Sequence, residues 1–287
     1  MNINQFKGAL VGLAIGDALG ATVEFMKPEQ IKAQHGELRD ILGGGWLELN
    51  PGEVTDDTHM SLCVVRSLVA YGGYNPVDMA DRLLAWYRSY PKSTGKACRD
   101  GLERFAQTGE TIRPADEKTA GNGALMRILP IILYFVQQSE LLNSTLLHHA
   151  HLTHTSQVSD AACKCYAELV LKVLFGAGLD ELQAAVGDYR WQPEQYNGKS
   201  GGYVVDTLTT VLHCLFTTTS FEDALVKCVN LGGDADSTGA ILGGLAGAFY
   251  GYDALPVRWR QALDRQVHDE LIGLADSLAS QMVVVSE

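Results

Sequence analysis

The sequence predicts an all-α fold, one compact multi-helix domain over residues 1–287. Three observations lead there. Apolar residues recur at helical spacing along nearly the whole chain, as in Met60, Cys63, Val64 and Leu68, and again in Met79, Leu83, Leu84, Trp86 and Tyr87. Alternating, strand-like runs are scarce. Short Gly, Pro, Asn or Asp punctuation separates the periodic segments, and no linker, repeat or low-complexity tract divides the chain.

Taken in order, helices are expected over 5–20, 57–72, 76–90, 96–107, 120–136, 140–150, 158–176, 201–218, 221–230, 237–250 and 258–284. The least helical stretches are 36–56, 108–119 and 188–200. Thirty glycines, about one residue in ten, exceed the roughly 7% of an average protein. Two helices explain much of the excess: Gly8, Gly12, Gly16 and Gly20 lie four apart, as do Gly239, Gly243, Gly247 and Gly251. Each set forms a stripe along one helix face. A helical glycine costs up to about 1 kcal/mol relative to alanine, so eight of them imply a compensating close approach of backbones. The two helices are therefore expected to touch, which would bring Glu24 close to Asp234–Ser237.

Charge excludes one class of function. With 22 basic against 34 acidic side chains the net charge is −12, and no basic patch is present to neutralise nucleic-acid phosphates. The six cysteines, Cys63, Cys98, Cys163, Cys165, Cys214 and Cys228, sit irregularly within apolar helical patterns, unlike a disulfide framework or a zinc site. They are expected to be buried free thiols of a cytoplasmic protein. The apolar run Ala9–Ile15 imitates a secretion signal, but Asp17 and the single basic residue Lys7 argue against one. No apolar run is expected to reach the roughly 18 residues of a membrane span.

Two acidic clusters precede periodic helices: Thr55-Asp56-Asp57-Thr58 and Asp234-Ala235-Asp236-Ser237-Thr238. Either can be read as helix capping, since Thr, Asp and Ser cap well and acidic residues complement the helix dipole. Capping needs one side-chain oxygen, however, and each cluster supplies two carboxylates and a hydroxyl. Four carboxylates brought together repel unless a cation joins them. Their oxygens suit Mg²⁺, Mn²⁺ or Ca²⁺, and two such clusters suggest a two-metal site. His148, His149 and His151 lack companions at zinc-site spacing and are expected on a surface or helix face.

These residues carry a resemblance. Gly16-Asp17-Ala18-Leu19-Gly20 with Glu24, Thr55–Thr58, Gly121-Asn122-Gly123-Ala124-Leu125-Met126-Arg127, Thr153-His154 and Gly233–Gly239 occur in the order found in ADP-ribosylglycohydrolases. Gly43-Gly44-Gly45-Trp46-Leu47, Pro51–Asp57 and Tyr203-Val204-Val205-Asp206-Thr207 look most like the nitrogenase-linked members, which act on an arginine of dinitrogenase reductase. The resemblance implies an all-α hydrolase that holds two divalent cations, Mn²⁺ or Mg²⁺, and cleaves ADP-ribose from a modified protein. Carried over by motif, the metal ligands are Thr55, Asp56, Asp57, Asp234, Asp236 and Ser237, and the catalytic carboxylates are Glu24, Asp56 and Asp57. Glu24 would shuttle a proton. Gly121, Asn122 and Gly123, opening a helix, would offer N–H groups to the diphosphate. His154 and Tyr203 match positions around the distal ribose and adenine, although each can equally be a core residue. Arg127 either pairs an internal carboxylate or touches substrate. Ser93, with Gly95, stands in the cleft-lining stretch where close relatives place an aspartate ahead of the glycine. Two alternatives remain: a hydrolase acting on another modified protein or a free ADP-ribose derivative, and a non-enzymatic binding protein of the same fold.

Overall fold

The computed structural model describes residues 1–187, 196 and 198–284. Most of the expected loop 188–200 lies outside the described residues. Fourteen α-helices and no β-strand occur among the described residues. Helix α1 (Ile3–Gly20) begins at Asn2, which accepts from the Gln5 backbone while Gln5 answers with its own side chain, a reciprocal cap. Except for its first turn and Lys7, the helix is buried. Its partner is α12 (Ala235–Tyr250), which runs antiparallel to it and is equally buried over Ala235–Ala248.

The glycine stripes form this contact. A Cβ on Gly12 would lie 2.3 Å from the Gly243 carbonyl oxygen, and one on Gly16 would lie 1.9 Å from that of Gly239. Gly8 meets Gly247 in the same way, so only residues without a Cβ permit this approach. The contact also accounts for the apolarity of the N-terminal segment. Contrary to the sequence-based expectation, Ile3–Val23 is long and apolar enough to cross a membrane, but 94% of its most apolar window is buried inside the protein.

Around this pair pack α3 (Asp56–Tyr71), α8 (Gln157–Leu174), α10 (Val204–Phe216), α11 (Phe221–Val229) and α14 (Arg265–Val284). Helices α4 (Pro76–Tyr87), α5 (Lys96–Thr108), α6 (Leu129–Tyr134) and α7 (Ser139–Ala150) extend the layer beyond α3. Several boundaries differ from those expected, each for a local reason. α2 (Pro28–His35) was not foreseen because only Ile31 is buried, leaving no apolar period to read. α9 (Leu179–Val186) is short, with Leu182, Ala185 and Val186 its buried residues. The expected helix 120–136 is instead a turn, a 3₁₀ segment over Leu125–Arg127 and the six-residue α6, with Pro130 near its start. The helix expected over 258–284 breaks at Leu263-Asp264 into α13 (Val257–Ala262) and α14, because the Asp264 N–H donates to the Gly52 carbonyl.

Candidate active site

The α1–α12 pair delivers the two ends that the sequence separates. Just past α1, Phe25 N–H donates to the Gly233 carbonyl at 2.6 Å, and Gly233 N–H returns to Met26 at 3.0 Å. Gly232 and Gly233 both have φ +67°, and a Cβ on Gly233 would sit 1.7 Å from the Ser200 carbonyl oxygen, so the chain reverses here only because no side chain intervenes. Glu24, Asp234 and Asp236 thereby converge, with one oxygen from each within 4.8 Å of the others.

The second acidic cluster enters on α3. Thr55 caps the helix, its Oγ1 accepting from Asp57 N–H at 3.4 Å. Asp57 Oδ2 accepts from Thr55 Oγ1 at 3.3 Å and from Ser237 Oγ at 3.2 Å, which joins the two helix starts directly. Asp57 Oδ1 is buried without a hydrogen-bond partner among the described residues. Beneath the cluster Asp17, wholly buried in α1, accepts from the N–H groups of Thr55 and Thr58 and from Thr58 Oγ1 at 2.5 Å. Asp17 fixes the start of α3. The sequence reading gave it no role, although a lone carboxylate within so apolar a helix was the available signal.

Burial and mutual repulsion shape the charges. Burial, then the nearby Asp17 and Asp234, pushes Asp56 up to about 6. Glu24 is raised to about 7, by burial and by Asp234, against the opposing hydrogen bond from Trp46. Asp57 and Asp236 are driven well above the usual carboxylate range by burial first and their acidic neighbours second. Asp234 rises by burial while Asn122 and Asp236 hold it down. Such a crowd, with an orphaned carboxylate oxygen and an all-oxygen donor set, fits a hard divalent cation.

Most of these groups face a cavity of about 400 Å³. Glu24, Asp56, Asp234, Asp236 and Ser237 line one side; Ser93, Gly95, Gly121, Asn122, Gly123 and His154 line the rest. Thr55 and Asp57 are buried and do not line this cavity; Thr55 lines an adjacent one. His154 is buried with Nδ1 against Thr153 Oγ1 at 2.7 Å, and burial together with the Arg127 and Arg113 charges lowers its pKa to about 3, so the ring is neutral. A Cβ on Gly123 would meet the His154 ring at 2.9 Å and Cys98 Sγ at 2.8 Å, which explains that glycine.

Other expectations are corrected. Asn122 does not offer its N–H to a ligand, because that group donates to the Gly202 carbonyl; its side-chain amide holds Asp234 Oδ2 at 2.5 Å and Thr207 at 3.1 Å. Gly121–Gly123 precede a 3₁₀ turn, not an α-helix, so no helix dipole acts there. Tyr203 stands at the start of α10 beside the lining residue Gly202, pairs with Gly121 through an isolated bridge and is 48% exposed, so of its two readings the core residue is the one set aside. Arg127 is wholly buried and donates to His149 Nε2, Thr153 Oγ1, Cys98 Sγ and the Gly123 carbonyl, clamping the segments that carry Gly123 and His154. His149 is accordingly buried and not on a surface. Trp46 was also missed: from the Gly43–Gly45 turn its Nε1 donates to Glu24 Oε2 at 2.6 Å.

The chain as a whole has known relatives. A family model described as ADP-ribosylglycohydrolase matches residues 2–286. ADP-ribosyl-[dinitrogen reductase] glycohydrolase of Rhodospirillum rubrum is 44% identical over 94% of both chains. ADP-ribosylarginine hydrolase Tri1 of Serratia proteamaculans is 32% identical, covering 98% of this chain and 79% of that one. A solved ADP-ribosylglycohydrolase-related protein complex contains a chain that superposes with TM-score 0.86 at 37% identity, over 97% of this chain and 98% of that chain. With a geometry that brings the sequence's acidic motifs to one cleft and a family model spanning nearly every residue, this chain belongs to the ADP-ribosylglycohydrolase family.

Proposed function

We propose that this enzyme hydrolyses the N-glycosidic bond between ADP-ribose and a protein arginine, with dinitrogenase reductase as the target. The observation that carries the reading is the meeting of Glu24 with both acidic helix starts in one cavity, in a chain 44% identical to a dinitrogen reductase glycohydrolase. The Tri1 similarity supports the arginine linkage and equally supports a second reading, the same chemistry on a different modified protein. Six buried free cysteines support a reducing, cytoplasmic setting.

Thr55, Asp56, Asp57, Asp234, Asp236 and Ser237 would hold two divalent cations, Mn²⁺ or Mg²⁺. Bound there, such ions supply Lewis acidity toward ribose hydroxyls and water. The chain's own groups do the rest. Glu24, held near neutrality and oriented by Trp46, is matched to carry a proton to the departing guanidine nitrogen or from the attacking water. Neutral His154 lines the cavity with its Nδ1 engaged by Thr153, so Nε2 is the ring nitrogen that would meet a ribose or phosphate oxygen. Asn122 and Asp17 keep Asp234 and the start of α3 in place.

Asp56→Ala and Asp236→Ala should each abolish turnover and lower the Mn²⁺ content of the folded protein. Unchanged rates and metal content in both variants would refute the metal assignment.

A further inference from the structure

Asp56 and Ser93 form an edge shared by two cavities. Beyond it lies a second space of about 270 Å³, smaller than the roughly 300 Å³ at which drug-sized pockets begin, and so suited to one side chain. We propose that this space is the subsite for the arginine side chain that carries the ADP-ribose, an assignment that rests on the hydrolase reading above. The placement follows from the order of groups. The carboxylates that would surround the reacting ribose lie on one side of the main cavity, and the second space opens where Asp56 ends that side. Because Asp56 and Ser93 line both spaces, a leaving group on the anomeric carbon that passed Ser93 would enter the second one.

The walls match a guanidinium on an aliphatic stem. Trp86, half-buried, presents an indole, the strongest aromatic partner for a cation, and Leu47 and Leu49 offer apolar surface for the stem. Tyr90 stands at the mouth, 92% exposed, at φ +59°. Four titratable groups face the space besides Tyr90. Asp56 and Glu53 are acidic, Lys92 is the one lysine or arginine among the described lining residues, and His59 is the fourth. Lys92 holds Glu53 at 2.9 Å with both side chains partly exposed, a weak pair that an incoming guanidinium can displace. A neutral serine or an ester conjugate gains nothing from this arrangement.

The test uses the Mn²⁺-loaded enzyme and two substitutions away from the acidic cluster, Trp86→Leu and Lys92→Met. For an ADP-ribosylarginine peptide, Trp86→Leu should raise KM about fivefold or more with kcat within about twofold, as loss of a cation–π contact predicts. Lys92→Met should lower KM. The Kd of free ADP-ribose, which occupies only the main cavity, should stay within about twofold in both. Unchanged KM in both variants, or ADP-ribose affinity moving in step with KM, overturns the subsite. Should Trp86→Leu fail to fold, the KM of Lys92→Met alone decides. Wild-type enzyme that leaves the arginine peptide intact refutes the hydrolase reading and the subsite with it; wild-type turnover with insensitive variants refutes the subsite alone.

Discussion

Asp17 shows how one side chain organises the site without facing it. Its carboxylate satisfies the first backbone donors of α3 and the Thr58 hydroxyl, all in the interior. Asp17→Ala would strand those donors, each at about 1–3 kcal/mol when buried, so a loss on the order of 3 kcal/mol is expected in urea unfolding. The acidic crowd sets a pH dependence with a definite sign. Glu24, Asp57 and Asp236 are raised above their unfolded values, so the folded metal-free protein binds more protons than the unfolded chain. Their destabilising effect is fully present above their folded pKa values and fades as pH falls toward the unfolded values near 4. His154 and His149, lowered by burial, act oppositely, but only once pH drops to about 6.5 and the unfolded imidazoles protonate. Chelator-treated protein should therefore melt at a higher temperature at pH 6.5 than at pH 8.5. Added Mn²⁺ should flatten or reverse that trend, because cation binding favours the ionised carboxylates. A melting temperature that climbs with pH in chelator would contradict the assigned shifts.

At the scale of elements, the glycine stripes were legible because eight glycines at a four-residue spacing have a cost that only close packing offsets. The structure tightens the consequence. Since a Cβ on Gly243 would lie 2.1 Å from the Gly12 carbonyl oxygen, even Gly243→Ala overpacks rigid backbone, and a loss near the upper end of the usual 1–3 kcal/mol is expected by thermal or urea unfolding. Wild-type stability in Gly12→Ala and Gly243→Ala would remove the helix contact from the account. Elements without such a signature stayed hidden. Helix α2 buries one residue, and the break before α14 depends on Gly52, far away in sequence. The acidic clusters were readable from composition and spacing, whereas Trp46 on Glu24, Asn122 on Asp234 and the Arg127 clamp are tertiary hydrogen bonds with no local pattern.

At the scale of the whole molecule, the two stripes bring distant acidic ends to one cleft, and the −12 chain places a negative field around it. Such a cleft would draw a cationic guanidinium, and its crowded carboxylates would be stabilised by bound cations, which joins arginine preference and metal dependence in one prediction. The most direct test is release of ADP-ribose from arginine-modified dinitrogenase reductase, measured with Mn²⁺ and with chelator, beside serine-linked and glutamate-linked conjugates. Rapid release from the arginine conjugate with Mn²⁺, lost in chelator and much slower for the other linkages, is the predicted result. Undiminished release in chelator, or a clear preference for the serine conjugate, would contradict it.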